Sequence, residues 1–368
     1  MSVKIWISNY DYAGLVGAFR ALGWQVLCGP RRNWWAWAHG WEGSENDHKI
    51  EIPKTTPAEF SVFFRREMVE HRPDIVLLGK GYDSNVSTES CKPKFWHVLP
   101  DDLKFARDRG AAIVYLTLDD PNDFGMFGRT SLPDHCDAIG TCCIDTRDAY
   151  RAYTNAHVFE WWPAWDLTRI VQTRREYKCD LAIVGSPYLS PVDRADGDMS
   201  GPSISRRTIA AAAIEAGYKV KIWGPDSWLE RSRGGDPDLR SVFQGWLPGH
   251  ENHNVFATAA VTYNSFVRYA RRYANDRIFL VLGAGGVLLS ESQLLLPDAF
   301  PEIVWHKRGD VDDFLVKLRS VSKAKTRTKL AVAGQHRVLA EHTYVERANT
   351  IAVEYAAIVE RRRARSRR

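Results

Sequence analysis

The stretch from Arg277 to Glu291, RIFLVLGAGGVLLSE, combines a cation, a glycine pair and an acid at spacings that could serve a ligand. It reads as a helix that stops at Gly285-Gly286, then a short buried strand, Val287 to Leu289. Glycine ends a helix because it accepts positive φ without a Cβ clash. The missing side chain also lets backbone N–H groups approach an anion such as a diphosphate. Glu291 then follows the carboxyl end of the strand, where open α/β sheets bind ligands, and a carboxylate there can hold the two hydroxyls of a ribose. A helix cap followed by a surface acid is the other reading of the same spacing.

Two more groups stand out. Ala112 to Leu118 reads as a buried strand ended by Asp119-Asp120-Pro121, because proline cannot continue the ladder. One of the two carboxylates there could act as general base on an acceptor hydroxyl; Asx-turn chemistry at a strand end is the alternative. Arg31-Arg32-Asn33-Trp34-Trp35-Ala36-Trp37-Ala38-His39-Gly40-Trp41 sets arginines beside clustered indoles in what reads as a loop. Trp34, Trp35 and Trp37 suit stacking on a sugar face or a nucleobase, with Arg31 and Arg32 on phosphate. Folding under as a satellite core is the other fate of such a loop. Lys80, between two glycines at a strand end, either faces the same side or is a solvated loop lysine. No metal site is expected. Asp196-Gly197-Asp198 and Asp236-Pro237-Asp238 match a common tripeptide in turn-rich loops, and His250 and His253 lack a third ligand.

The elements that must position these groups alternate. Val3 to Ser8, Gly14 to Leu22 and Trp24 to Cys28 read as strand, helix and strand, the start of a Rossmann-like parallel sheet. No G-x-G-x-x-G follows that first strand, which argues against a nicotinamide-dependent oxidoreductase. Asp180 to Val184, Ser205 to Ala216 and Val220 to Gly224 repeat the pattern, with a glycine- and proline-rich insertion from Pro187 to Pro202. Val242 to Leu247 reads as a short strand and turn. Tyr344 to Arg363 reads as the last helix, running into an arginine-rich tail expected to be solvated and frayed.

With 368 residues and 45% apolar content, the chain suits two domains of ordinary size. No window approaches the ~18 consecutive apolar residues of a membrane span. The chain enters a strand pattern at once, and its six cysteines form no C-x-x-C pair. This implies no signal peptide and a reducing, cytoplasmic setting. The net charge of +5 fits a phosphate-bearing ligand and is compatible with a polyanionic one.

The Arg277 to Glu291 run resembles the "R-x-F-E … G-G-x-x-L-x-(D/E)" signature of CgeB-like, spore-maturation glycosyltransferases. Asp180 to Ser186, Arg207, Val220 to Gly224, and His342-Thr343-Tyr344 with Arg347 resemble further parts of it, over roughly residues 180–350. Leu280 departs from the pattern, which has Glu there. The resemblance implies the α/β GT-B fold: two Rossmann-like domains whose parallel sheets face across a cleft, with the C-terminal helix crossing back. The expected limits are an acceptor domain at 1–165, a donor domain at 166–345, and a crossing helix with basic tail at 346–368. It implies sugar transfer from a nucleotide sugar, a UDP-sugar, to an acceptor hydroxyl without a metal. Ser186, Arg207, Gly224, Trp246, Arg277, Gly285, Gly286 and Glu291 are then donor-binding. Arg31, Arg32, Trp34, Trp35, Trp37 and Lys80 are acceptor-binding, and Asp119 or Asp120 is the base. The tryptophan loop and basic balance suggest 5-hydroxymethylpyrimidine in DNA as acceptor, as in phage base-modifying glycosyltransferases. A glycan, protein or small-molecule acceptor is the alternative, and a non-catalytic nucleic-acid-binding protein on a decayed transferase fold is the reading from another class.

Overall fold

The computed structural model describes residues 2–8, 13–28, 57–79, 98–117, 132–187, 205–229, 238–266 and 272–367. Internal contacts divide the chain into two units: Met1–Trp162 with Tyr344–Arg368, and Pro163–Thr343.

The first unit contains a parallel sheet of six strands, β1 (Lys4–Ser8), β2 (Gln25–Cys28), β3 (Ile75–Leu78), β4 (Ala112–Thr117), β5 (Ala138–Thr141) and β6 (His157–Glu160), in the order β2-β1-β3-β4-β5-β6. β3, β4 and β5 are buried along their whole length, as strands covered on both faces must be, and their sequences IVLL, AIVYLT and AIGT are almost uninterruptedly apolar. Helices α1 (Ala13–Ala21), α2 (Pro57–His71), α3 (Pro100–Asp108) and α4 (Ile144–Tyr153) belong to this unit. Trp6 meets Phe64 edge-on at 5.1 Å in its core. Buried Asp102 accepts from Ser61 Oγ at 2.6 Å, Arg65 Nε at 2.7 Å and the Leu99 N–H at 3.2 Å, joining α2 to the start of α3.

The second unit runs β7 (Leu181–Val184), α5 (Arg206–Glu215), β8 (Val220–Trp223), α6 (Asn252–Thr258), β9 (Val261–Asn264), α7 (Asp276–Gly283), β10 (Leu288–Glu291), α8 (Leu296–Ala299), β11 (Val304–His306), α9 (Val311–Ser320) and α10 (Ala324–Glu341). Its sheet is parallel, in the order β11-β10-β9-β7-β8. The first strand is flanked by the second on one side and the third on the other. The winding therefore reverses between β7 and β9, and crevices for ligands form at the carboxyl ends of strands at such a switch. The last helix, α11 (Tyr344–Ser366), is grouped with the first unit.

Three local expectations change. The strand expected at Val287 to Leu289 runs from Leu288 to Glu291, because Glu291 is laddered to His306 of β11. Glu291 is thus the last residue of the strand and not a residue beyond it. Val242 to Leu247 makes one bridge, Phe243 to Ile222, and then turns through Gly245 at φ +83°. The tail is not simply frayed. Helix α11 continues to Ser366, and Arg362 donates to the Gly110 carbonyl at 2.8 Å, the Ala111 carbonyl at 2.9 Å and Asp137 at 2.8 Å. No helix among the described residues is long and apolar enough to cross a membrane.

Candidate active site

At the switch point of the second sheet, β7 ends in Gly185 with φ +121°, a conformation that only glycine adopts without strain. Two guanidinium groups border this glycine. A Cβ added to it would lie 3.0 Å from Arg206 Nη1 and 3.4 Å from Arg277 Nη2. Arg206, at the start of α5, donates from Nε to Ser265 Oγ at 2.9 Å and from Nη1 to the Ser186 carbonyl at 2.9 Å. Arg277, at the start of α7, donates to the Val184 carbonyl at 2.6 Å and lies over the Phe256 ring at 5.2 Å. These carbonyl and hydroxyl acceptors fix the orientation of the two guanidinium groups. A cation in such a partly dry setting acts more strongly on an anion than it would in water.

The neighbouring strand end is closed by shape. Trp228 donates its indole N–H to the Gly185 carbonyl at 2.7 Å. A side chain on Gly224 would collide with that carbonyl and come within 2.7 Å of the indole nitrogen. Gly224 N–H bonds the Gly245 carbonyl at 3.0 Å. That contact brings the following residue, Trp246, to the end of β8 with 42% of its surface exposed.

At the end of β10, Glu291 is 1% exposed. Below it on β9, burial pushes the Tyr263 hydroxyl well above the ordinary tyrosine range; the Glu291 carboxylate adds to the rise and the Arg206 guanidinium opposes it. Tyr263 stays protonated and faces His306 Nε2 at 3.4 Å. Burial lowers the pKa of His306, whose Nδ1 lies 2.9 Å from the Lys307 carbonyl, so the pair is neutral. Asn264 donates to Ser290 Oγ at 3.1 Å and accepts from Asn275 at 3.0 Å, tying the ends of β9 and β10 to the start of α7.

The structure therefore brings Ser186, Gly224, Trp246, Arg277 and Glu291 to one edge of one sheet. It separates others. Gly285 and Gly286 precede β10 and sit at its amino end, where Thr262 N–H bonds the Val287 carbonyl at 2.8 Å. From there to Glu291 the strand advances ~15 Å. Gly285 has φ +75° beside Gln335, and a Cβ on Gly286 would collide with the Phe256 carbonyl. The glycine pair ends α7 and lets α6 approach, at the opposite end of the strand from Glu291. Arg207 bonds the Ser227 carbonyl and lies 5.9 Å from the Trp228 ring centroid, so it braces that turn. Arg206 is the residue that faces Gly185. A signal for it was present: it lies on the same helical stripe as Ile209, Ala210 and Ala213, all buried. Asp119, Asp120, Arg31, Arg32, Trp34, Trp35, Trp37 and Lys80 lie outside the described residues. His253 is buried with Nε2 2.9 Å from the Ile170 carbonyl, a structural position.

Residues 203–352 match a family profile described as Glycosyl transferase-like. This segment is glycosyltransferase-like. It includes both arginines, Gly224, Trp246 and Glu291. No curated protein matches the chain. Solved structures do. A UDP-forming α,α-trehalose-phosphate synthase from Burkholderia xenovorans aligns at TM-score 0.58 and 11% identity, over 98% of this chain and 100% of its own. Anabaena HepE in complex with UDP-glucose aligns at 0.58 and 9%, over 96% and 99%. A putative UDP-N-acetylglucosamine 2-epimerase from Listeria monocytogenes aligns at 0.52 and 12%, over 98% of each chain. The fold is GT-B, with two parallel-sheet α/β domains.

Proposed function

We propose that this protein transfers a sugar from a nucleoside diphosphate sugar, a UDP-sugar, to an acceptor hydroxyl, binding the donor at the carboxyl edge of the second sheet. The observation that carries the proposal is the convergence of the Arg206 and Arg277 guanidinium groups on Gly185 at the switch point. A nucleoside diphosphate leaving group gains negative charge as the glycosidic bond breaks. Fixed cations aimed at that charge stabilise the transition state without reorganising. Glu291 is assigned to the ribose hydroxyls and Trp246 to the base. Arg207 supports the site through Trp228 instead of binding phosphate. Because the Burkholderia xenovorans neighbour forms UDP and Anabaena HepE is bound to UDP-glucose, uridine diphosphate is the first nucleotide to test. The same fold in a 2-epimerase means that turnover, and not binding alone, must be measured.

Calorimetric titration with UDP tests the donor site. Arg206→Ala or Arg277→Ala removes a charged hydrogen bond of about 1.5–3 kcal/mol, so affinity falls tenfold or more, while Arg207→Ala loses stability and keeps most of its affinity. Equal UDP affinity in wild type and both variants removes the arginine pair from the site.

For the acceptor we keep the reading of 5-hydroxymethylpyrimidine in DNA and a base at Asp119 or Asp120. It rests on sequence: the arginines and tryptophans between Arg31 and Trp41, the basic balance and the Asp119-Asp120-Pro121 run. Labelled UDP-sugar is offered with hydroxymethylated DNA, unmodified DNA and glycans in parallel. Label enters only the hydroxymethylated DNA, and Asn at the base position lowers turnover on the order of 10²-fold. Label entering a glycan alone moves the acceptor to the CgeB-like alternative, and no transfer from any UDP-sugar favours the non-catalytic reading.

A further inference from the structure

Just past Glu291 the chain carries a feature that no assigned role uses. Gln293 is 4% exposed, yet its Oε1 has no hydrogen-bond partner among the described residues. Leaving a buried amide oxygen unbonded costs about 1–3 kcal/mol, so such a group calls for an explanation. The backbone next to it is also under strain. Leu295 holds φ +72°, unfavourable for a side chain with a Cβ, and Leu294 and Leu295 are 62% and 52% exposed. Residues held in such sparsely populated backbone regions cluster at active sites and ligand clamps.

We propose that Gln293 is a specificity-determining residue that accepts a hydrogen bond from a hydroxyl of the sugar-nucleotide donor, one of two neighbouring hydroxyls whose partner is held by Glu291. The inference rests on the donor-site reading above. Glu291, Ser292 and Gln293 are buried, half-buried and buried, the alternation of an extended chain, so residues two apart share a face. Two acceptor groups on one face match two adjacent O–H donors, a vicinal diol. A phosphate offers only acceptors at neutral pH and cannot satisfy Gln293; phosphate belongs to the arginines. The distance is suitable. β10 lies two strands from β7 in the sheet, ~10 Å across the ladder, a span that a nucleoside diphosphate covers between its phosphates and its hydroxyls. Gln293 follows no charged motif and lies beyond the signature, which is why its role is visible only in its burial.

A vicinal diol occurs both on the ribose and on the transferred sugar, and the experiment separates the two. The full chain and its Gln293→Leu variant are titrated calorimetrically with UDP and 2′-deoxy-UDP, and with UDP-glucose and UDP-2-deoxyglucose. Wild type is expected to prefer the fully hydroxylated member of one pair by about tenfold, and Gln293→Leu to lose that preference while binding the deoxy member as wild type does. Loss in the first pair assigns Gln293 to the ribose, and loss in the second to the donor sugar. If wild type binds UDP but discriminates within neither pair, the proposal is overturned whatever the variant does, and the donor site stands. A preference equally strong in Gln293→Leu also overturns it. If wild type binds none of the four, the donor-site reading falls and this inference with it. Gln293→Asn, which keeps the amide on a shorter arm, gives the same comparison should the leucine variant not fold.

Discussion

Gly185 is where residue type and geometry constrain each other most tightly. Its φ of +121° disfavours any side chain on backbone grounds, and a methyl group there would press on the Arg206 guanidinium at 3.0 Å. Gly185→Ala is expected to cost about 1–3 kcal/mol in denaturant unfolding and also to lower UDP affinity by displacing Arg206. A variant that loses stability but binds UDP as wild type does would show that the cations do not depend on this glycine. The contrast between Arg206 and Arg207 belongs to the same scale. Adjacent positions on a helix point ~100° apart, so one arginine faces the end of β7 and the other the Ser227–Trp228 turn.

Among the elements, α7 and β10 explain the glycines of the signature. Gly283 packs against Trp165, which a side chain there would strike, and Gly286 meets the Phe256 carbonyl of α6. Gly285 is the left-handed residue that ends the helix. Both Gly285→Ala and Gly286→Ala are therefore expected to destabilise the second unit, the first by about 1 kcal/mol from the positive φ alone. Neither is expected to change UDP affinity, measured by titration below the unfolding transition. A tenfold loss of affinity in a folded Gly286→Ala protein would return the pair to the phosphate site. Leu280 sits half-buried on the same helix as Arg277.

At the scale of the whole molecule, stability is expected to depend on pH through buried neutral histidines. Burial lowers the pKa of both His253 and His306, and Arg169 and His250 lower that of His253 further. A base whose folded pKa lies below its unfolded value binds more protons when unfolded. The stability it contributes is thus complete above the unfolded value of about 6.5 and declines as pH falls from there toward the folded value. The urea midpoint is expected to drop between pH 7.5 and 5, and His253→Gln to flatten that drop. An unchanged slope in the variant would assign the acid sensitivity to other groups. Tyr263, raised above the ordinary tyrosine range, stays neutral throughout this window.

The alternation of apolar strands with amphipathic helices determined the α/β class and the parallel sheets, because a strand buried on both faces must be apolar along its length. Local chemistry also determined where α7 ends, at Gly285. The end of the sheet to which each turn belongs was decided only in three dimensions. A glycine pair before a strand and an acid at its last position are close in sequence but lie at opposite edges, since the strand itself crosses the sheet. Helical spacing sets Arg206 on the buried stripe of its helix, but only the fold brings it to Gly185, because its partners at Ser186 and Ser265 come from other strand ends. The Gln293 amide oxygen, without a partner among the described residues, was not legible at all, because satisfaction of a polar group is a property of everything folded around it.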